Sequence, residues 1–322
     1  MFSPGVVAAS VGAALDTLGT LGHVLDVAVL AAAALTVVTA LTPTLRRWLG
    51  YALLGLTGSL GAGAVALAWF HVRLWQLTTV VDPQSGTVTG SFAVPPWIES
   101  GKLYVWALIL GVIAASVRRH RAELQPLLAI ATAILATGAI LWGRPFTDPV
   151  PGFLAQYAGY LSAWASGDAA AAVAAFRSVE GPRLYYYNTW YMWAHPPLLF
   201  FSYGAFVASF AAAMLMIVRR RSSYEQTAYR WARLGYLPLT FGMLIGFPWA
   251  ILAWQGDSWW WSGKVNMSIM MWLLYTAYLH VRLYLRRRGM WRVVAALAVL
   301  SFVALVLTYV TTYVVPGAHS AI

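Results

Sequence analysis

The sequence contains no cysteine and few charged residues. Without cysteine the chain can form no disulfide, supply no thiolate to a metal and carry no CxxCH attachment motif. Charged residues occupy 10% of its 322 positions, whereas soluble domains carry about 25%. Because 61% of the residues are hydrophobic and the mean hydropathy is +0.69, the composition predicts a polytopic membrane protein.

Acidic residues are scarcer than basic ones. The chain has 10 Asp and Glu against 21 Lys and Arg, which gives a net charge of +11. The basic residues form short clusters between apolar segments, a distribution typical of cytoplasmic connections in membrane proteins. They form no continuous basic face, so nucleic acid is excluded as a partner. The first 20 residues lack a basic leader region, so no cleavable signal peptide is expected.

Eight apolar segments approach the length of about 20 residues that a membrane-spanning helix needs. They cover roughly 22–43, 50–75, 100–117, 125–143, 193–218, 234–253, 266–285 and 291–315. Arginine clusters follow the first, third, fifth and seventh segments, so both termini are predicted to lie outside. We therefore expect an all-α polytopic membrane helix bundle with about eight transmembrane helices. It would form one integral-membrane domain over residues 1–322.

Three connections are predicted to lie on the outer side, at about 76–99, 144–192 and 254–265. The second is the largest. It contains a helix-forming stretch at 167–178 and an aromatic stretch at 183–193, so we expect it to lie on the membrane surface. The third contains WQGDSWWWSGK, residues 254–264. Its indole rings either anchor the protein at the membrane boundary or bind a flat apolar ligand.

The histidines are sorted by this topology. His195 opens the fifth segment, and Pro196 and Pro197 after it suit the first turn of a helix. His319 follows the eighth segment and is predicted on the same outer side. Two neutral imidazoles that face each other across a cleft are suitable axial ligands for haem iron. His120 lies in the cytoplasmic RRHR cluster and is expected to be an ordinary surface residue.

The tryptophan-rich segment is suited to hold a porphyrin between two such histidines. Trp254, Trp259, Trp260 and Trp261 would supply an apolar platform, of which Trp259 and Trp261 are the strongest candidates. Residues that could meet the propionates or orient the ligands are Lys264, Asp257, Asn266, Arg183 and Arg144. Interfacial anchoring remains open, since apolar spans rich in Trp and Tyr also occur in transporters.

At these tryptophan and histidine segments the sequence resembles the haem-handling proteins of cytochrome c maturation, of the CcmF, CcsA and CcmC type. The segment around Trp261 is similar to their tryptophan-rich WWD segment. Trp272 lies 11 residues after Trp261, and His280 lies eight residues after Trp272, as in the family pattern. HPPLLFFSYGAF at 195–206 resembles HPPLLYLGYVGF, and the GAHSAI ending resembles GLHSYG. LGHVLDVAVLAAAAL at 21–35 and VPPWIESGKLYVWALIL at 94–110 extend the resemblance over nearly the whole chain.

The resemblance implies that His195 and His319 are the outer haem ligands. It implies that the cofactor is haem b, bound non-covalently and in transit, and that Trp272 belongs with the tryptophan platform. His280 matches a transmembrane histidine that serves an inner haem site in parts of the family. His71 is a candidate partner by residue type, but the topology places it in the outer half. Either a partner subunit completes the inner site, or the inner site is vestigial in this chain.

Two acids of the family pattern are missing. Ser262 stands where the pattern has Asp, and Val265 stands where it has Glu. We hypothesise that Asp257 or Asn266 takes over the polar role and that Lys264 meets a propionate as a point charge.

The function implied by the resemblance is that of a cytochrome c biogenesis factor. It would bind haem at the periplasmic or extracytoplasmic face of the plasma (inner) membrane. There it would present haem to an apocytochrome c with a CxxCH motif, together with other maturation subunits. Three alternatives stay open: a haem lyase component that takes part in thioether ligation, a haem export or delivery subunit without ligation activity, and a haem-b electron-transfer subunit.

Overall fold

The computed structural model describes residues 2–117, 123–254, 259–281 and 290–315. These residues form an all-α protein with one short hairpin, which confirms the predicted fold class. The helices are α1 Pro4–Leu41, α2 Leu49–Leu77, α3 Gly101–Ser116, α4 Leu124–Gly138, α5 Pro151–Ala165, α6 Ala169–Pro182, α7 Trp190–Arg219, α8 Glu225–Ala253, α9 Gly263–Val281 and α10 Met290–Val314. The hairpin strands are β1 Thr79–Val81 and β2 Val88–Ser91.

Each of the eight predicted apolar segments is helical. Among the described residues six helical stretches are long and apolar enough to cross a membrane: Pro4–Leu41, Pro43–Leu77, Leu124–Gly143, Trp190–Arg219, Ser222–Ala253 and Met290–Thr311. The other two segments are α3, an apolar helix of 16 residues, and α9, which has 19. The protein is therefore a multi-pass membrane protein, and the side on which its termini lie stays a prediction.

Helix α1 is longer than the sequence predicted. It begins at Pro4 instead of about residue 22 and has 38 residues. At about 1.5 Å per residue it is about 57 Å long, well beyond the roughly 30 Å of a hydrocarbon core. Proline at its first position suits a helix start. The Gly, Ala and Thr residues that follow made this part less apolar than a typical span, so the hydropathy pattern placed the start too late.

The chain divides into two compact units. The first contains Met1–Leu108 and Thr132–Trp193, and the second contains Ile109–Ala131 and Ala194–Ile322. The prediction of one integral-membrane domain stays a prediction. In the first unit α1 packs along α2 and against α5. The early turns of α1 and the facing side of α5 line an apolar cleft of about 440 Å³, to which Val11, Leu154 and Leu161 contribute.

The connections between α2 and α3 and between α4 and α7 form a small folded layer in the first unit. β1 and β2 pair antiparallel, with Thr79 opposite Ser91 and Val80 opposite Gly90. The Tyr160 hydroxyl of α5 accepts a hydrogen bond from the Val81 N–H at 2.8 Å and donates to the Val81 carbonyl at 3.0 Å. The hairpin is thereby fixed to α5. The helix predicted at 167–178 is confirmed as α6, which Asp168 caps.

In the second unit α9 and α10 pack side by side, and α8 packs against α9. The Phe206 ring of α7 stacks on Tyr275 of α9 with ring centroids 3.6 Å apart. Gly235 of α8 leaves room for the Phe206 ring, since a methyl group there would overlap it. Small residues on α8 therefore allow α7 to approach closely, and this closeness also shapes the surroundings of His195.

Candidate functional site

His195 lies near the start of α7, but the two prolines after it do not open the helix. Helix α7 begins at Trp190, so Pro196 and Pro197 lie inside it. The prediction that they occupy the first turn is wrong. The helix includes the aromatic residues before His195. Each proline therefore removes the backbone hydrogen bond to the residue four positions earlier and crowds that residue's carbonyl.

The hydrogen bond that Pro196 cannot make is replaced. A residue with an N–H at position 196 would donate to the Met192 carbonyl, four residues earlier. That carbonyl instead accepts the indole N–H of Trp97 at 2.9 Å. The Trp97 ring also packs edge-on against Trp193, with centroids 5.0 Å apart. Trp97 therefore holds the first turns of the helix that carries His195.

The imidazole of His195 is fixed in one tautomer. Its Nδ1 lies 2.6 Å from the Gly242 carbonyl of α8. A carbonyl oxygen can only accept, so Nδ1 carries the hydrogen and donates it. Nε2 of the neutral ring then keeps its lone pair, which is the state in which histidine binds a metal. The residue as a whole is partly exposed.

Two further residues of α8 pack against this ring. A methyl group on Gly246 would lie 2.5 Å from Cε1 and 2.7 Å from Nδ1 of His195, but 3.4 Å from Nε2. The Nδ1–Cε1 edge therefore faces Gly246. The buried Trp249 ring lies beside the imidazole, with centroids 5.9 Å apart. The sequence alone does not identify Gly242, Gly246 or Trp249 as neighbours of His195, because a backbone carbonyl that accepts a hydrogen bond leaves no residue type to recognise.

The described tryptophans of the predicted platform differ in exposure. Trp254 packs against Trp249, with centroids 4.9 Å apart. Trp259 is only 8% exposed and packs against Phe247 and Trp260. Trp260 and Trp261 are 50% and 75% exposed. Trp259 is thus a core residue of the turn, and Trp260 and Trp261 are the rings with surface to offer a ligand.

Helix α9 begins directly after this turn, and Ser262 caps it. Ser262 is the residue just before α9. Its Oγ accepts a long hydrogen bond from the Val265 N–H, at 3.4 Å. Asn266 donates from Nδ2 to the Trp261 carbonyl at 3.2 Å and so ties the tryptophan turn to α9. Lys264 lies in the same first turn and is partly exposed. Aspartate and serine are both strong N-caps, which gives a physical reason why either residue suits position 262.

Trp272 is held by polar contacts with α8. Its indole N–H donates to the Thr240 Oγ1 at 3.0 Å, and its ring stacks near Tyr236, with centroids 6.0 Å apart. The Thr276 hydroxyl and the Tyr236 hydroxyl form a second contact at 2.8 Å. These bonds fix the register of α8 and α9 between the tryptophan turn and His280.

The other predicted histidines have different surroundings. His280 is exposed on α9, and its Nδ1–H donates to the Thr276 carbonyl of its own helix at 2.8 Å. His71 lies near the end of α2 and is only 6% exposed. Its Nδ1–H donates to the Val94 carbonyl at 2.7 Å, and its ring meets Phe70 edge-on. This surrounding is that of a hydrogen-bonded core histidine. His23 is exposed on α1.

The two arginines considered for propionates also differ. Arg183 is 7% exposed, and its guanidinium holds both carboxylate oxygens of Glu180 at 2.7 Å. This bidentate pair commits Nε and Nη2 of Arg183 to Glu180 within the folded layer. Arg144 is exposed and follows α4 with a left-handed backbone, φ 53°. His319, Asp257 and His120 lie outside the described residues.

A sequence model of the family described as "Cytochrome C assembly protein" matches residues 96–319. The chain is also similar to individual proteins. It is 27% identical over 221 residues to the probable cytochrome c-type biogenesis protein NrfE of Escherichia coli (strain K12). This match covers 63% of this chain and 35% of that protein. It is 37% identical over 90 residues to the cytochrome c-type biogenesis protein CcmF of the same strain, covering 27% and 14%.

The cytochrome c biogenesis protein CcsA of Gloeobacter violaceus (strain ATCC 29082 / PCC 7421) is 36% identical over 106 residues. The match covers 31% of this chain and 30% of that protein. In these matches the chain spans about a third or less of the relatives' own length. The family match includes α3 to α10 and the His195 surroundings, and it excludes α1, α2 and His71.

Proposed function

Since the chain belongs to the cytochrome c assembly protein family, we propose that it is a cytochrome c biogenesis factor that binds haem and presents it to apocytochrome c. The observation that carries the proposal is the state of His195. Its Nδ1–H is committed to the Gly242 carbonyl, so Nε2 of this partly exposed residue remains as the metal-binding nitrogen.

The residues around His195 suit a haem. His195 is the first axial ligand, and His319 is the second by its motif. Trp260 and Trp261 offer apolar faces to a porphyrin, and Lys264 or Asn266 near them suit its propionates. The absence of a Cβ at Gly246 leaves the space that the His195 ring occupies.

The reactive groups belong to the haem itself. When haem is bound, its vinyl groups can add the thiols of a CxxCH motif, so that a C–S bond forms and the thiol proton passes to the neighbouring vinyl carbon, with no net oxidation. The chain's residues bind and orient. His195 donates a lone pair from Nε2, and the Gly242 carbonyl keeps the ring proton on Nδ1. Trp259 supports the turn that carries Trp260 and Trp261.

The proposed setting follows the prediction from the sequence. The cofactor is haem b, held non-covalently, and the site faces the outer side of the plasma (inner) membrane. The partners are apocytochrome c with a CxxCH motif and other maturation subunits. His280 is the candidate ligand of an inner haem site, and a partner subunit is the better source of its counterpart because His71 is buried.

The test is to purify the full chain in detergent and record its haem content and absorption spectrum. A bis-imidazole haem spectrum is expected. His195→Ala and His319→Ala should each lose that spectrum, while His23→Ala, an exposed histidine on α1, should keep it. Unchanged haem and ligation in both ligand variants would refute the proposal. Reconstitution with an apocytochrome in a host without its own maturation system then separates ligation from delivery.

A further inference from the structure

The Nδ1–Cε1 edge of the His195 ring packs against one stretch of α8. We infer that Gly246 and the Gly242 carbonyl are positioning elements for His195, which together select Nε2 as the ligating nitrogen and set the direction of the ring. This inference rests on the proposed function for its haem readout. Its structural part concerns the tautomer and orientation of one imidazole in the protein without haem.

Gly246 constrains the His195 ring sterically. Any side chain on Gly246 would meet the imidazole, because an added Cβ lies 2.5 Å from Cε1 and 2.7 Å from Nδ1. Real Cβ contacts essentially never fall below 3.0 Å. The neighbour that must move is an aromatic ring held at its own hydrogen bond, not the far end of a flexible chain. Glycine at position 246 is therefore required for the observed ring position.

The Gly242 carbonyl determines which nitrogen of His195 carries the proton. The imidazole could carry its hydrogen on either nitrogen, and only a partner decides which one. The Gly242 carbonyl lies 2.6 Å from Nδ1 and can only accept. Such a hydrogen bond also increases electron donation from the opposite nitrogen to a metal. A ring moved by a methyl group at position 246 would lose this bond and with it the fixed tautomer.

Gly204 of α7 provides a matched comparison away from the His195 ring. A methyl group there would approach the Cδ1 atom of Ile113 at 2.9 Å, which is the end of a flexible side chain. Gly204 and Gly246 are both buried, and alanine raises helix propensity at each by about the same amount. The two substitutions therefore differ mainly in whether the added carbon meets His195.

The experiment compares the full chain with Gly246→Ala and Gly204→Ala. The first readout is the ¹⁵N spectrum of histidine-labelled protein without haem, with His195→Ala used to assign the signal. We expect a protonated Nδ1 in the wild type and in Gly204→Ala, and loss of that signature in Gly246→Ala. The second readout is haem affinity, which we expect Gly246→Ala to lower about 10- to 100-fold, as for loss of other supporting partners of a metal ligand.

A third readout shows whether Gly246 acts through His195. In His195→Gly, free imidazole can replace the missing ligand, and adding Gly246→Ala to this variant should not weaken imidazole-supported haem binding further. A further loss would mean that position 246 acts by another route and would overturn the inference. So would a protonated Nε2 in the wild type, or equal effects of the two alanines. A wild-type chain with the expected tautomer but no haem would instead refute the proposed function alone.

Discussion

His71 in the first unit and His195 in the second make the same hydrogen bond in different surroundings. Each donates its Nδ1–H to a backbone carbonyl distant in sequence, at 2.7 Å for His71 and 2.6 Å for His195. His71 is buried against a loop carbonyl, and His195 is partly exposed beside a helix carbonyl. A fixed tautomer alone therefore does not identify a metal ligand. What distinguishes His195 from His71 is the greater exposure of the residue as a whole.

The largest expected difference is between alanine at these two positions. His195→Ala should lower haem affinity by more than about 100-fold, because loss of a supporting partner alone costs about 10- to 100-fold. His71→Ala should keep the haem affinity of the folded protein. It should instead lower the free energy of unfolding by about 1–3 kcal/mol, since the buried Val94 carbonyl loses its donor. Haem titration and thermal unfolding in detergent measure both, and haem loss in both variants would remove the distinction.

The next largest expected effect concerns Trp260 and Trp261, the exposed tryptophans of the second unit. If Trp260 and Trp261 cover a porphyrin, removing both should weaken haem binding by about 2–3 kcal/mol, from roughly 100 Å² of lost contact at about 25 cal/mol per Å². Trp142→Ala is the control, since that ring is 83% exposed in the first unit. Haem affinity of the Trp260→Ala, Trp261→Ala double variant is the measurement. A value equal to that of the control would mean that these rings anchor the protein at the membrane boundary.

Trp97 should affect stability more than haem chemistry. Trp97→Phe removes the donor to the Met192 carbonyl, and leaving a buried acceptor unpaired costs about 1–3 kcal/mol. Pro196→Ala restores an N–H that can reach the same carbonyl within α7, so the cost of Trp97→Phe should be smaller in that background. Unfolding of the four proteins in the double-mutant cycle gives the coupling. Additive effects would contradict the role assigned to the proline.

The sequence predicted the spans well because each is a long apolar run, and it predicted α6 because Asp168 precedes an alanine-rich stretch. It placed the start of α1 too late, since helix formers of moderate hydropathy do not read as a span. Arg183 was expected near the propionates. Its burial and its pairing with Glu180 are visible only in the structure. Gly242 and Gly246 could not be found, because their roles depend on which side chain of another helix faces them.

Position 262 tests whether the departure from the family pattern changes the site. Ser262→Asp should retain haem affinity and stability, with or without Lys264, because either residue can cap α9. Ser262→Ala should lower the free energy of unfolding by about 1 kcal/mol and increase hydrogen exchange at the first amides of α9. A loss of haem affinity in Ser262→Asp that appears only in the Lys264→Gln background would instead support a charge pair at the haem edge.

The smallest expected effect is a pH dependence of stability in the first unit, and it comes from Glu99. Its carboxylate accepts the Gly152 N–H at 2.7 Å and the Phe153 N–H at 3.2 Å, at the start of α5. Burial raises the pKa of Glu99 above the usual 4.5, although the two amide hydrogen bonds and the charge of Lys102 oppose this. The folded chain thus holds this proton more tightly than the unfolded chain. The resulting stability is complete below the usual pKa and is lost as pH rises through the raised one.

Glu99→Gln cannot titrate, so the unfolding free energy of the wild type should fall relative to this variant as pH rises above the usual 4.5, while haem binding at His195 does not follow that difference. A constant difference in stability between the two proteins would show that the Glu99 carboxyl has the same pKa in the folded and unfolded chains, and the two units would then not be distinguished by their response to pH.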